Sequence, residues 1–561
     1  MKYSYAYKHD RNYILSNLHE NCLKAKKSGQ YNKFVVTHKL NGRSKVVSAK
    51  DLIKTTSTTV LQYTNGGWAH DQEGSKTLQS FIQDMNSGDE LILKGLKPTI
   101  SEIYGPSALK MDISSGTGPY KITYIGEKPF TNSDPNLINI SGAIVDISGL
   151  KFSSITGQLF NIYDSSVSLT GITIQDSTIS DDNASSLINY RVTRSTPNFT
   201  DSDVSKTLHS KNLALTNINI NNITVPGSII HLGFNYDDIS QISINSLSIS
   251  GCKMGSGENG GAIYIASDIS FIDSSMTFIN NSTFSGADSA TSVFFTNNHI
   301  TIQGGTYNFT NNTAINTGGA IFARGGISIK QGSFDFSGNI SEKAHGGAIF
   351  SLGPVSIMNP VRMNFINNKS LTGNGGAIAA GEARVGGNGN IYIDTSNLIY
   401  FSNNSSGMNT VWPGQSGGGA IYVDASVTIN GNVYFTDNSS NNGGAISAAN
   451  MDVSGHVEFH TNTATYLGGA IDTSNLFFHD ISKLTFKGNR ATSPGNGGAI
   501  HAKYVNFVSG DIHFTNNACF GEGGAINTNY LFTKNITGDF SYNKSYSQGG
   551  TMMVNYLANI K

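Results

Sequence analysis

The sequence predicts an all-β chain: a right-handed parallel β-helix, or solenoid, with a small α/β N-terminal capping segment. Three observations predict it. Two short motifs recur in fixed phase through the second half of the chain. Between them, apolar and polar residues alternate with period two, as in half-buried strands. The composition suits strands joined by tight turns: 63 of 561 residues are Gly and 13% are charged. With 38% hydrophobic residues at regular intervals, disorder is excluded.

Residues 1–75 read as a basic capping segment and 76–561 as the solenoid. Within 1–60, twelve Lys/Arg, among them Lys24, Lys26 and Arg43, face three acidic residues, Asp10, Glu20 and Asp51. Such a head suits an anionic partner, or is a solvated basic face. Asn12–Lys27 reads as a short helix and Lys33–Ile53 as a strand–helix piece. The opening MKYSYAYKHDRNYILSNLHENC has no uninterrupted apolar stretch, so no secretory signal is expected. No apolar run is long enough for a transmembrane helix. Cys22, Cys252 and Cys519 are odd in number and far apart, which argues against a disulfide framework. No cofactor, metal or nucleic-acid partner is expected.

The solenoid begins with TLQSFIQDMNSGDELILK (77–94). There an amphipathic helix with Leu78, Phe81, Ile82 and Met85 on one face precedes the first strand. A helix over the open end supplies the cap that stacked folds require. Rungs with poorer motifs follow, such as GQLFNIYD (157–164), SSLINYRV (185–192) and SIIHLGF (228–234). Segment 194–208 reads as a loop insertion.

From about 255 to 555 the repeat is explicit. GGAI starts at Gly260, Gly318, Gly346, Gly375, Gly418, Gly443, Gly468, Gly497 and Gly523, with a degraded GGTM at Gly549; most starts lie 25 to 29 residues apart. The gap after Gly260 spans two units, and ATSVF, ending at Phe294, reads as the missing copy. Phe-x-x-Asn keeps phase, from Phe278/Asn281 and Phe309/Asn312 through Phe540/Asn543. One unit, GGAIYVDASVTINGNVYFTDNSSNN, divides into three short alternating runs without a hairpin signal, which is one rung of a parallel β-helix. Alternation places Ile421 and Val423 inward, Phe435 on the axis and Tyr422 outward. The Gly pair suits a corner needing positive φ or close backbone approach. The Asn suits a turn that tolerates the left-handed region, with its amide stacking on the next rung.

These residues resemble the repeats of the chlamydial polymorphic membrane proteins, whose passenger domains repeat GGA(I/L/V) and FxxN. They are also similar to adhesin-like proteins of methanogenic archaea, and the entry segment looks like that of pectate-lyase-like β-helices. The resemblance implies surface display and adhesion to host cells. The expected function is therefore a surface-exposed, adhesin-like scaffold that attaches to a host-cell protein or glycan, at the cell surface or extracellularly. A virion or phage fibre of the same fold and a polysaccharide-active enzyme are the alternatives.

No catalytic residue is assigned. Asp181–Asp182 and Asp237–Asp238 sit in turn-like contexts rather than paired across a cleft. Asp472 and His501 should be neighbours on adjacent rungs and form an ion pair. His456 and His460 share a strand face without neighbouring each other, which argues against zinc. The candidate binding residues are an outward aromatic column, Tyr264, Phe294, Phe322 and Phe350, which either binds through exposed rings or is covered and stabilises the sheet by stacking along it. Trp412 joins them in the insertion 405–417.

Overall fold

Alternating apolar residues give a strand one face to bury, and three such strands per repeat close a rung around a shared interior. The computed structural model describes the segments 33–37, 44–48, 58–64, 67–69, 78–85, 88–94, 111–114, 119–125 and 130. From 138 to 559 it describes all residues but 180–185, 193–210, 234–240, 256–260, 285–292, 317, 382–388, 408–416 and 493. The helix expected at Asn12–Lys27, the insertion 194–208, and residues 408–416 of the other insertion, with Trp412, lie outside the described residues.

The rungs stack as parallel ladders. The strand after each Gly-Gly pairs with its counterparts above and below, in register from Met111 through Ile138, Phe160, Ile188, Ile230, Ile263, Phe294 and Ile321. The same ladder continues through Ile349, Ile378, Ile421, Ile446, Ile471, Ile500 and Ile526 to Met552. In the N-terminal rungs the second strand of each turn forms a separate sheet, from Gln241–Ile244 back to Glu90–Lys94 and Thr58–Thr64. That sheet reaches upstream of residue 76, and its Leu61 is buried in the common core. From Ile421 the strands of a rung merge into long bent ones: Ile421–Thr436, Ile446–His460 and Ile471–Lys487. Apart from the rungs, Lys33–Thr37 pairs antiparallel with Ser44–Ser48. The helix Leu78–Gln83 buries Leu78 and Ile82 and packs Phe81 against the core, with Met85 packed there just beyond its end.

The Phe of Phe-x-x-Asn fills the axis. From Phe278 to Phe540 successive rings lie 4.5–5.1 Å apart and within 2–13° of parallel. The one-rung spacing suits offset stacking, so each ring covers part of its neighbours' faces.

The Asn of the motif forms the expected ladder, and the bonding is saturated. Each amide nitrogen donates to the amide oxygen of the next Asn at 2.9–3.1 Å. From Asn312 on, it also donates to the Phe carbonyl of the preceding rung at 2.7–2.9 Å. Each oxygen accepts a second bond, from the preceding Asn backbone N–H. From Asn312 to Asn517, two donors and two acceptor sites are thus used in a column that solvent reaches only at its last member, Asn543.

The turn differs from expectation by one residue. The left-handed position is the residue before the Asn: Asn280, Asn311, Gly338, Asn367, Asn403, Asp437, Thr461, Gly488, Asn516 and Tyr542 all have φ between +52° and +69°. The Asn itself turns inward to bond, and its neighbour absorbs the corner.

The two glycines of the pair have different duties. The first takes the left-handed conformation, as at Gly443 with φ +58°. The second is a contact point between rungs: a Cβ on Gly444 would sit 2.1 Å from the Gly469 carbonyl oxygen.

Candidate binding surface

The column one residue after the motif Ile runs Tyr264, Phe295, Phe322, Phe350, Ala379, Tyr422, Ser447, Asp472, His501 and Asn527. Two expectations change. Phe294 pairs with Ile263 and Ile321 in the interior ladder, and Phe295 takes the outward place. Because side chains alternate, a one-residue slip in a rung lacking the Gly pair moves a residue to the opposite face. The column is also not exposed. Tyr264, Phe322 and Phe350 are 5%, 3% and 4% exposed, and Phe295 is fully buried. They form a second apolar cluster, with Ala266 and Leu352 packed against it. Rings 5.3 Å apart cover one another, and the Arg324 guanidinium lies 5.7 Å from the Phe295 centroid. Stacking on the outside of the sheet has made a core rather than a ladder open to solvent.

Farther along this column, Asp472 and His501 are neighbours, joined at 2.7 Å between Oδ1 and Nδ1 and partly exposed. The two histidines 456 and 460 are linked after all, through the residue between them. Glu458 binds His456 Nε2 and His460 Nε2, each at 2.7 Å, and the Lys483 ammonium at 2.8 Å. Its side chain is 8% exposed. Burial pushes its carboxyl up, but the bonds from Lys483, His456 and His460 together outweigh this and hold the pKa at about 2. A carboxyl depressed in the folded state contributes stability above its unfolded pKa, and that contribution is lost as pH falls from about 4.5 toward about 2. Wild type should therefore lose about 1–2 kcal/mol more than Glu458→Gln over this window, solvent screening of the partly exposed partners included. Guanidinium midpoints measured at both ends of it check this; equal acid sensitivity in the two proteins would refute the linkage. No group of three or more His, Cys, Asp or Glu among the described residues could hold a metal ion. No helix among them is long and apolar enough to cross a membrane.

A groove that the sequence reading missed lies on the neighbouring face, a cavity of about 520 Å³. Two outward columns line it. One runs Ser426, Asn450, Asn475, Tyr504 and the other Thr428, Asp452, Phe477, Asn506, Phe532. The floor is the backs of Val427, Met451 and Leu476, whose side chains are buried in the core. Asn475 Nδ2 donates to Asn450 Oδ1 at 2.7 Å. Asp452 is held by His479 Nε2 at 2.9 Å, and the His479 ring stacks on Phe477. Tyr504 stacks on Tyr530, and Tyr530 on Tyr556, at 4.7 and 4.9 Å. Phe477 and Tyr504 are each 36% exposed. The signal was present in the sequence, since Tyr504, Tyr530 and Tyr556 recur at the repeat spacing. They stand on the second strand of the rung, where no motif marks the phase.

The Chlamydia polymorphic membrane protein repeat matches residues 307–324, 398–424, 432–449 and 483–503. Each matched segment holds one Phe-x-x-Asn and the Gly-Gly-Ala-Ile that follows it, the corner where the Asn ladder and the Gly contacts meet. These four segments are similar to polymorphic membrane protein repeats. It is 31% identical over 202 residues to the "Probable outer membrane protein PmpD" of Chlamydia trachomatis serovar D, covering 32% of this chain and 12% of that protein. It is 28% identical over 363 residues to the "Probable outer membrane protein PmpF" of Chlamydia muridarum, covering 53% and 32%. The chain thus spans about a third or less of the length of these relatives. No solved structure matches it. Every residue lining the groove lies outside the matched polymorphic membrane protein repeat segments, so the repeat accounts for the scaffold and not for the groove.

Proposed function

We propose that this chain is a surface-exposed, adhesin-like, non-enzymatic solenoid that attaches to a host cell or partner surface. The observation that carries the reading is the division of labour within each rung. Repeated residues make a saturated core of stacked Phe, Asn and Gly contacts, while one outward face departs from the repeat to line a groove. A rigid rod with a shaped face suits attachment, since it displays a site without ordering a loop on binding. The similarity to probable outer membrane proteins supports placement at the cell surface. The test uses beads coated with the full chain on epithelial monolayers. They should adhere several-fold more than albumin-coated beads, and soluble chain should compete. No excess adhesion would overturn the reading, and so would cleavage of a polysaccharide panel.

A further inference from the structure

We infer that the groove between the Asn475–Tyr504 and Phe477–Asn506 columns is a binding site for a short, neutral glycan chain. The inference rests on the attachment reading for where the ligand is met, and on the groove's own chemistry for what the ligand is.

Size comes first. A cavity of about 520 Å³ falls in the range of small-ligand sites, roughly 300–1,000 Å³. The lining comes next. Asn450, Asn475 and Asn506 offer amides that both donate and accept, and Ser426 and Thr428 add hydroxyls that do the same. A sugar hydroxyl is likewise donor and acceptor, so an amide row satisfies it without a net charge. The aromatic walls supply the other half. Tyr530 takes up one face of the Tyr504 ring. The Lys503 ammonium also approaches this ring, at 5.2 Å from its centroid, and the Tyr504 side chain remains 36% exposed beside Asn475 of the neighbouring rung. The C–H face of a pyranose packs on such a ring while its hydroxyls reach the amides beside it.

Charge decides between neutral and acidic sugars. The lining itself contains no Lys or Arg, its one carboxylate, Asp452, is held by His479, and the ammonium at its rim, Lys503, is engaged with the Tyr504 ring. A sulfated or sialylated chain would have to draw Lys503 off that ring to pair its anion, a cost that a neutral chain avoids. Backbone pairing decides against an extended peptide. The strands under the groove, Ile446–His460, Ile471–Lys487 and Ile500–Phe507, are paired on both edges, so no free edge is available for strand addition.

The test uses the full chain, fluorescently labelled, on an array of neutral, sialylated and sulfated animal cell-surface glycans, with titration calorimetry on the best ligand. Binding to neutral glycans in the sub-millimolar range is expected, with Tyr504→Ala and Asn475→Ala each weakening it about tenfold or more. Phe520→Ala, an exposed aromatic away from the groove, should bind as wild type, and unchanged unfolding midpoints would show that the variants fold. Selection of acidic glycans alone, absence of any glycan binding, or binding that survives Tyr504→Ala would each overturn the assignment. The bead assay separates the two readings: adhesion without glycan binding sinks the glycan site and keeps attachment, whereas loss of both sinks attachment as well.

Discussion

Asn404→Ala should cost on the order of 4 kcal/mol and lower the guanidinium midpoint more than truncating any single exposed side chain. Asn404 is fully buried in the middle of its column. Its Nδ2 donates to the Phe365 carbonyl at 2.8 Å and to Asn438 Oδ1 at 3.0 Å. Its Oδ1 accepts from the Asn368 backbone N–H and from Asn368 Nδ2, both at 3.0 Å. Truncation leaves the two Asn368 donors and the Phe365 carbonyl without these partners, and each buried orphan costs about 1–3 kcal/mol. Asn404→Leu should be at least as damaging, because it fills the space with carbon and keeps water from repairing the bonds. Asn543→Ala is the comparison. Asn543 ends the column, is partly exposed, and loses bonds that water can replace, so about 1 kcal/mol or less is expected. Equal losses at Asn404 and Asn543 would show that the column does not act as a saturated network.

Gly444→Ala should be more severe than its single added methyl suggests. The new Cβ would lie 2.1 Å from the Gly469 carbonyl oxygen and 2.7 Å from the Thr463 nitrogen, both backbone atoms of the next rung. Neither can rotate away, so the rungs must part locally. That strains the Gly444 N–H to Gly468 carbonyl bond and the Ala445 N–H to Ala470 carbonyl bond. A loss of about 4 kcal/mol or more is expected, with new protease sensitivity near 444–470. Gly550 occupies the same motif position in the last described rung, and a Cβ there meets nothing within 4 Å. Gly550→Ala should therefore be neutral to about 0.5 kcal/mol. A mild Gly444→Ala, or a damaging Gly550→Ala, would mean that the second glycine is kept for chain flexibility and not for the approach of neighbouring rungs.

Much of this was legible because a solenoid converts sequence period into spatial register. Once the motif repeats every 25 to 29 residues, residues one period apart stack, and alternation says which face they take. That suffices to place Ile421 and Phe435 in the core, to foresee the Asn column, and to set Asp472 beside His501. It failed at Phe294, in a rung without the Gly pair, where nothing marks the phase and a slip of one residue reverses the face. It also failed to see that Glu458 joins His456 and His460. The two histidines, four apart on a strand, are too far for direct contact, and that Glu458, two residues from each, is buried and reaches both is a tertiary fact.

The sequence by itself determined the rung: three strands, a Phe and Ile interior, and two glycines with an Asn at the corner. Each of these is dictated by contacts between a residue and its own copy one period away. The tertiary structure alone decided what faces solvent. Exposure depends on how neighbouring columns cover one another, and a period carries no information about that. Tyr264, Phe322 and Phe350, on the sequence alone a ladder either open or covered, became a second core with Phe295. Tyr504 and Phe477, unmarked by any motif, became the walls of the groove.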